Sequence, residues 1–294
     1  MTQPSIALDA LSCKLGRFEL GPITTTFPRG SVVALIGPNG AGKTTLLDLI
    51  LGLGRPKSGS IAVLGLHQPK DVVAIKARVA YVNPDLNFSV WGTVGRALNF
   101  VRGFYPDWSD TRCERLLAAF EIKRGDKIAA LSFGGRIKLS LVAALARDAE
   151  LLLLDEPTVG LDVAARRVLF HEILEIVKDD NRTVVISSHQ LDDLERLADQ
   201  CAIIAKGQLI AMAPMDGLLD RYRQVDAVIL GRLPEIAGVK LIARDGDRVR
   251  LLVDRQVCND ATLEAGGIRP VAEVAMTLED LFVALTSDTL EVPA

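Results

Sequence analysis

The chain has 294 residues, 49% of them hydrophobic and 24% charged, which suits one large or two modest packed domains and argues against disorder. A net charge of −3 argues against broad nucleic-acid binding by electrostatics. Cys13, Cys113, Cys201 and Cys258 form no C-x-x-C pair, against a zinc site or disulfide framework, and no run of about 18 apolar residues occurs, so work on a membrane requires a partner.

In chain order, Met1 to Ala10 lacks a basic segment followed by an apolar run, so no secretory signal is read there. The apolar run Val32 to Ile36 leads directly into Gly37-Pro38-Asn39-Gly40-Ala41-Gly42-Lys43-Thr44-Thr45, a G-x-x-x-x-G-K-[ST] phosphate loop in the setting it requires. Glycines let backbone N–H groups close round a phosphate, and the following helix adds its positive end. The expected ligand is ATP or GTP. Lys43 reaches the β and γ phosphates, and the Thr44 hydroxyl coordinates the accompanying magnesium ion.

Tyr81, Phe88, Trp91, Phe100, Phe104, Tyr105 and Trp108 are seven of the chain's 14 aromatics, and such density calls for burial. Two settings satisfy it: the core of a small helical subdomain, or a docking groove for a helix of a membrane partner. Ile137, Leu141 and Leu145, and then Leu169, Ile173, Ile176 and Val177, fall at helical spacing and read as core-facing stripes. Leu151 to Asp155 and Thr183 to Ser187 read as strands buried on both faces, the first ending in an acid at the ligand edge. Ala202 to Ala205, Lys206-Gly207 and Gln208 to Met212 read as a hairpin, and the first domain ends near Pro214. The alternation of strand and helix patterns is that of an α/β protein with a largely parallel sheet.

Asp155-Glu156 supplies the acids that phosphoryl transfer needs. Asp155 is the metal-side acid, and Glu156 the general base that orients and deprotonates the attacking water.

The order of phosphate loop, Leu131-Ser132-Phe133-Gly134-Gly135, the strand into Glu156, Gly160-Leu161-Asp162 and His189 resembles the ATPase subunit of ATP-binding cassette transporters over about residues 5 to 214. Asn87-Phe88 and Phe104 to Trp108 look like the type-2 exporter group, which includes drug and antibiotic-peptide resistance systems. The resemblance implies a P-loop NTPase core with a mostly parallel sheet, an N-terminal antiparallel β subdomain, a helical signature subdomain at about 86–150, and a small C-terminal α+β appendage at 215–294 after an ATPase domain at 1–214. It further implies ATP and Mg2+ as ligands, and two ATPase subunits stacked head to tail. Each nucleotide would then lie between the phosphate loop of one subunit and Ser132 and Gly134 of the other. Asp162 would link the two sites, and His189 would contact the γ-phosphate. A separate transmembrane permease subunit would hold the dimer on the cytoplasmic, inner face of the cell membrane, with no nucleic acid among its partners. A soluble cassette ATPase, or a regulatory cassette with slow hydrolysis, is the alternative.

Three departures from the family pattern stand out. Phe133 and Gly135 replace the first glycine and the glutamine of the signature. Asn83-Pro84-Asp85 places a proline where a glutamine normally touches magnesium and the attacking water, leaving Asn83, Asp85 or water to substitute. Leu15 stands where an aromatic usually stacks on adenine, with Phe18 the nearest candidate. In the appendage, Asp226 to Leu233 and Val249 to Val253 read as strands, Asp245-Gly246-Asp247 as a turn, and Thr277 as the cap of a terminal amphipathic helix.

Overall fold

A computed structural model describes residues 3–188, 191–229 and 234–287 of the chain. The chain divides into two compact units, Met1–Met212 and Ala213–Ala294.

The first unit begins with β1 (Ile6–Leu15) and β2 (Phe18–Phe27), an antiparallel pair. Ile6, Leu8, Leu11 and Cys13 of β1 are buried while their neighbours are more exposed, the near two-residue period of a sheet with one face in the core. β3 (Val32–Ile36) is buried at every position and leads through the phosphate loop into α1 (Lys43–Leu51). β4 (Ser58–Val63) and β5 (Leu66–His67) join the first two strands in a four-stranded sheet of order β2-β1-β4-β5. Its buried face packs with Leu46, Leu47 and Ile50 of α1 in one core. Burial of each such side chain is worth about 1.5–3 kcal/mol.

α2 (Val72–Arg78) runs into β6 (Val79–Val82), after which come α3 (Val94–Arg102), α4 (Asp110–Ala119) and α5 (Phe133–Leu145). β7 (Leu151–Leu154), α6 (Val163–Ile176), β8 (Thr183–Ser188), α7 (Leu191–Glu195), β9 (Gln200–Ala205) and β10 (Gln208–Pro214) complete the unit. The second sheet has order β10-β9-β3-β8-β7-β6, and β3, β6, β7, β8 and β9 are parallel. All four residues of β7 and all six of β8 are buried, which explains their continuous apolar runs. The chain returns from β8 to β9 on the other side of β3. This brings the ends of β3, β7 and β8 to one carboxyl edge, where open α/β sheets bind ligands.

In the second unit, α8 (Gly217–Arg221) precedes β11 (Tyr222–Ile229), β12 (Val239–Asp245), β13 (Arg248–Asp254), α9 (Asp260–Ala265), β14 (Ile268–Val274) and α10 (Leu278–Thr286). The strands form an antiparallel sheet of order β12-β13-β11-β14. Val225, Ala227, Val249, Leu251 and Val253 pack one face against Leu263 of α9. Thr277 caps α10 in a reciprocal box with Asp280. The strand expected over Asp226 to Leu233 begins at Tyr222, and its last four residues lie outside the described residues.

Candidate active site

The phosphate loop leaves β3 and turns into α1 at Gly42, whose φ of +111° excludes other residues. A side chain there would also meet the Phe18 ring at 2.9 Å. The loop is closed by the Ala41 N–H donating to the Pro38 carbonyl at 3.1 Å. Leu15, Phe18, Asn39, Gly40, Ala41, Gly42, Lys43, Thr44, Thr45 and Glu156 line a cleft of about 450 Å³. Lys43 Nζ donates to the Gly37 carbonyl at 2.7 Å and lies 3.3 Å from Glu156 Oε1.

The two adjacent acids have different settings. Asp155 is buried and fixed by two hydroxyls: Thr44 Oγ1 donates to Oδ2 at 2.5 Å, and Ser187 Oγ donates to Oδ1 at 2.6 Å. Glu156 faces the cleft with a left-handed φ of 45°. That conformation costs a non-glycine residue about 1–2 kcal/mol. Its N–H donates to Ser187 Oγ at 2.9 Å, so one hydroxyl orients both acids. Ser187 closes the strand-like run read from the sequence, but that reading gave it no role. The only signal was a hydroxyl at the carboxyl edge of a buried strand. His189 lies outside the described residues.

At the departures, side chains take specific positions. Asn83 Nδ2 donates to Tyr81 Oη at 2.8 Å, and its Oδ1 accepts the Asp85 N–H at 2.7 Å. Tyr81 in turn donates to Asp48 Oδ1 at 2.9 Å. Burial raises the Asp48 carboxyl above its usual range, opposed by the Tyr81 hydrogen bond and reinforced by Asp155. Asn83 is thus engaged in its own turn. Leu15 is 56% exposed at the rim of the cleft, whereas Phe18 packs against the core and over Gly42.

Ser132, Gly134 and Asp162 line a second cleft of about 270 Å³ that shares no lining residue with the first. Ser132 caps α5 by accepting the Gly135 N–H at 3.1 Å. Gly134 sits where a Cβ would lie 2.1 Å from the Gly160 carbonyl, so the two segments touch through backbone. The Phe133 ring, 43% exposed, lies against Gly160. Asp162 caps α6 by accepting the Ala165 N–H at 2.8 Å, and it takes an ion pair from Lys138 at 2.8 Å. Lys138, chiefly by this hydrogen bond, holds the Asp162 carboxyl below its usual range.

The aromatic concentration is only partly buried. Phe100 stacks on Trp91 with ring centroids 3.8 Å apart, yet Phe100 is 43% and Phe104 64% exposed. With Leu53, Tyr81, Phe88 and Tyr105 they line an open cleft of about 370 Å³, so neither ring lies in a subdomain core.

Comparison with known proteins bears directly on this site. A family model described as ABC transporter matches residues 20–159, from β2 through both acids. The chain is 30% identical to Nod factor export ATP-binding protein I of Rhizobium leguminosarum bv. viciae, covering 99% of this chain and 100% of that one. The chain belongs to the ABC transporter family. Within it, the protein is an ATP-binding subunit and an ATPase. It is also 29% identical to the uncharacterized ABC transporter ATP-binding protein YdbJ of Bacillus subtilis, over 74% of this chain and 71% of that one. A solved ATP-binding subunit of an ABC transporter superposes with a TM-score of 0.65 at 28% identity, over 72% of this chain and 91% of that one. A bacterial Atm1-family ABC exporter with ATP bound shares the fold, with a TM-score of 0.65 at 21% identity over 75% of this chain and 40% of that one. The α/β fold with a P-loop core expected from the sequence is thereby borne out.

Proposed function

We propose that this ABC subunit powers export through a separate transmembrane partner, working as a head-to-tail pair of ATPase subunits at the cytoplasmic face of the membrane. The observation that carries the reading is the open aromatic cleft around Phe88, Phe100 and Phe104, in a chain whose described residues include no helix long and apolar enough to cross a membrane. Aromatic anchors in a cleft are what docking interfaces use. The end-to-end likeness to an export ATP-binding protein supports the same reading.

In this reading Lys43 leaves Glu156 for the phosphates, and the loop N–H groups cradle them. Thr44 and Asp155 offer hard oxygen donors side by side, a donor set that fits Mg2+. When bound, Mg2+ supplies neutralisation of charge on the phosphate oxygens. Glu156 orients and deprotonates the attacking water, His189 contacts the γ-phosphate, and Phe18 bounds the base end of the cleft. Ser132 and Gly134 meet the nucleotide of the other subunit, and Asp162 joins the two sites.

The test is purification of tagged Glu156→Gln chain with ATP from detergent-solubilised source membranes, followed by mass spectrometry. A stoichiometric multi-spanning protein supports export; recovery of the chain alone, or with ribosomes or DNA, overturns it. A second reading, a regulatory cassette with slow turnover, draws on the engagement of Asn83 beside Pro84. Steady-state turnover with magnesium separates the two.

A further inference from the structure

The aromatic cleft has a one-sided charge. Among the residues that line it are two cations, Lys76 and Arg147, and no carboxylate. Arg147 follows α5 and is 5% exposed. Its Nη1 and Nη2 donate to the carbonyls of Val79 and Ala77 at 3.0 and 2.9 Å, and Tyr105 stacks 3.3 Å from its guanidinium carbon. Carbonyls and a ring face satisfy hydrogen bonds but supply no counter-charge, and the buried Arg147 Nε has no hydrogen-bond partner. Asp107 acts on this guanidinium only at a distance; among the described residues the two form no ion pair. Lys76, half-buried in the last turn of α2, likewise makes no ion pair among the described residues.

A cation held beneath an apolar lip is costly to leave unbalanced once an incoming segment excludes water. Burial already holds the Arg147 guanidinium below the usual arginine range. Lys76, by contrast, keeps a long stem that can follow a partner group across the rim. Leu53, Phe88, Phe100 and Phe104 offer apolar and aromatic surface, and the hydroxyls of Tyr81 and Ser140, which also line the cleft, already donate to Asp48 and the Arg136 carbonyl.

We propose that the segment of the transmembrane partner that fills this cleft is an apolar helix carrying an aspartate or glutamate, whose carboxylate pairs with Lys76 and Arg147. This rests on the reading of the cleft as the partner's docking site. The apolar contacts would supply binding energy, while the carboxylate would fix register and exclude permeases that lack it.

The experiment uses the full complex recovered from source membranes. A water-soluble carbodiimide joins an amine to a carboxylate held beside it, and peptide mass spectrometry locates the resulting amide. Lys76 is expected to be joined to an acid in a cytoplasmic segment of the membrane chain. Lys76→Glu should recover about ten-fold less of that chain, whereas Lys70→Glu, on the exposed loop before α2, should match the wild type within about two-fold. A benzophenone amino acid in place of Phe104 reports on docking alone. If it cross-links to the membrane chain while Lys76 joins nothing and Lys76→Glu recovers a full complement, the carboxylate is wrong and the docking site stands. If the benzophenone finds no membrane chain either, the docking reading fails and the carboxylate with it.

Discussion

Ser187 holds Asp155 in place through a 2.6 Å hydrogen bond from its hydroxyl to Asp155 Oδ1, and Ser187 Oγ also accepts the Glu156 N–H at 2.9 Å. A buried carboxylate oriented by a neighbouring hydroxyl depends on it for position and for a hydrogen bond to its charged oxygen. Ser187→Ala should therefore lower kcat about 10- to 100-fold, the range seen when an outer-shell partner of a metal site is removed. KM for ATP should move much less, because the phosphate loop is untouched. Ser187→Thr should recover most of the rate. An unchanged kcat with a lowered melting temperature would assign Ser187 to packing alone.

Lys138 and Asp162 tie the signature helix to the start of α6 by an ion pair at 2.8 Å. If Asp162 couples two sites across a subunit interface, the lysine that restrains it sets how strongly they cooperate. Lys138→Met should bring the Hill coefficient for ATP binding toward one and weaken binding of the second ATP about five-fold, the lower end of allosteric coupling. Lys138→Arg should restore both. A steady Hill coefficient in the methionine variant would remove Lys138 from this role.

The parts legible in the sequence are those whose physics is local. Val32–Ile36 and Leu151–Leu154 read as strands because central parallel strands, buried on both faces, require unbroken apolar runs. The cap Thr277 stands at a predictable offset from its helix, whereas Asp162, read only as a link between two sites, proves to cap α6 as well. β12 and β14 were not read, because Lys240, Arg244, Arg269 and Pro270 interrupt their apolar pattern as edge strands require. The role of Ser187 depends on Asp155, 32 residues away, which only the parallel pairing of β7 and β8 brings near. The aromatic cluster was legible as a cluster with two settings open, subdomain core or docking groove, and composition could not choose between them because it says nothing about which side of a ring meets water.

Asn83 bears on how the missing glutamine is replaced. Its amide donates to Tyr81 Oη and its carbonyl accepts the Asp85 N–H, so both ends are engaged in the turn. Asn83→Ala should leave the magnesium concentration at half-maximal rate unchanged within about two-fold. It should cost about 1 kcal/mol of stability for the lost hydrogen bonds, read by urea unfolding. A large rise in the magnesium requirement would instead make Asn83 the substitute for the glutamine.

Glu150 provides a pH dependence remote from the active site. Arg78 meets both of its carboxylate oxygens at 2.5 and 2.7 Å, and Arg29 adds a contact at 2.9 Å. The Arg78 hydrogen bonds, more than any other cause, hold the Glu150 carboxyl below the usual glutamate range. An unfolded glutamate titrates near about 4.3. The stabilisation is therefore complete above that pH and is lost as pH falls through the lower folded value, because the unfolded chain binds the proton first. Glu150→Gln should be less stable than the wild type by about 1–2 kcal/mol at pH 7, a range discounted for partial exposure of the three side chains. Below about pH 4 the gap should begin to narrow, and it should close only once pH has fallen below the lowered folded-state value, where the protonated wild-type side chain nearly matches the amide in charge and shape. Urea unfolding of both proteins from pH 7 to pH 3 measures this gap directly; a gap that stays constant across the range would place the effect in packing rather than charge.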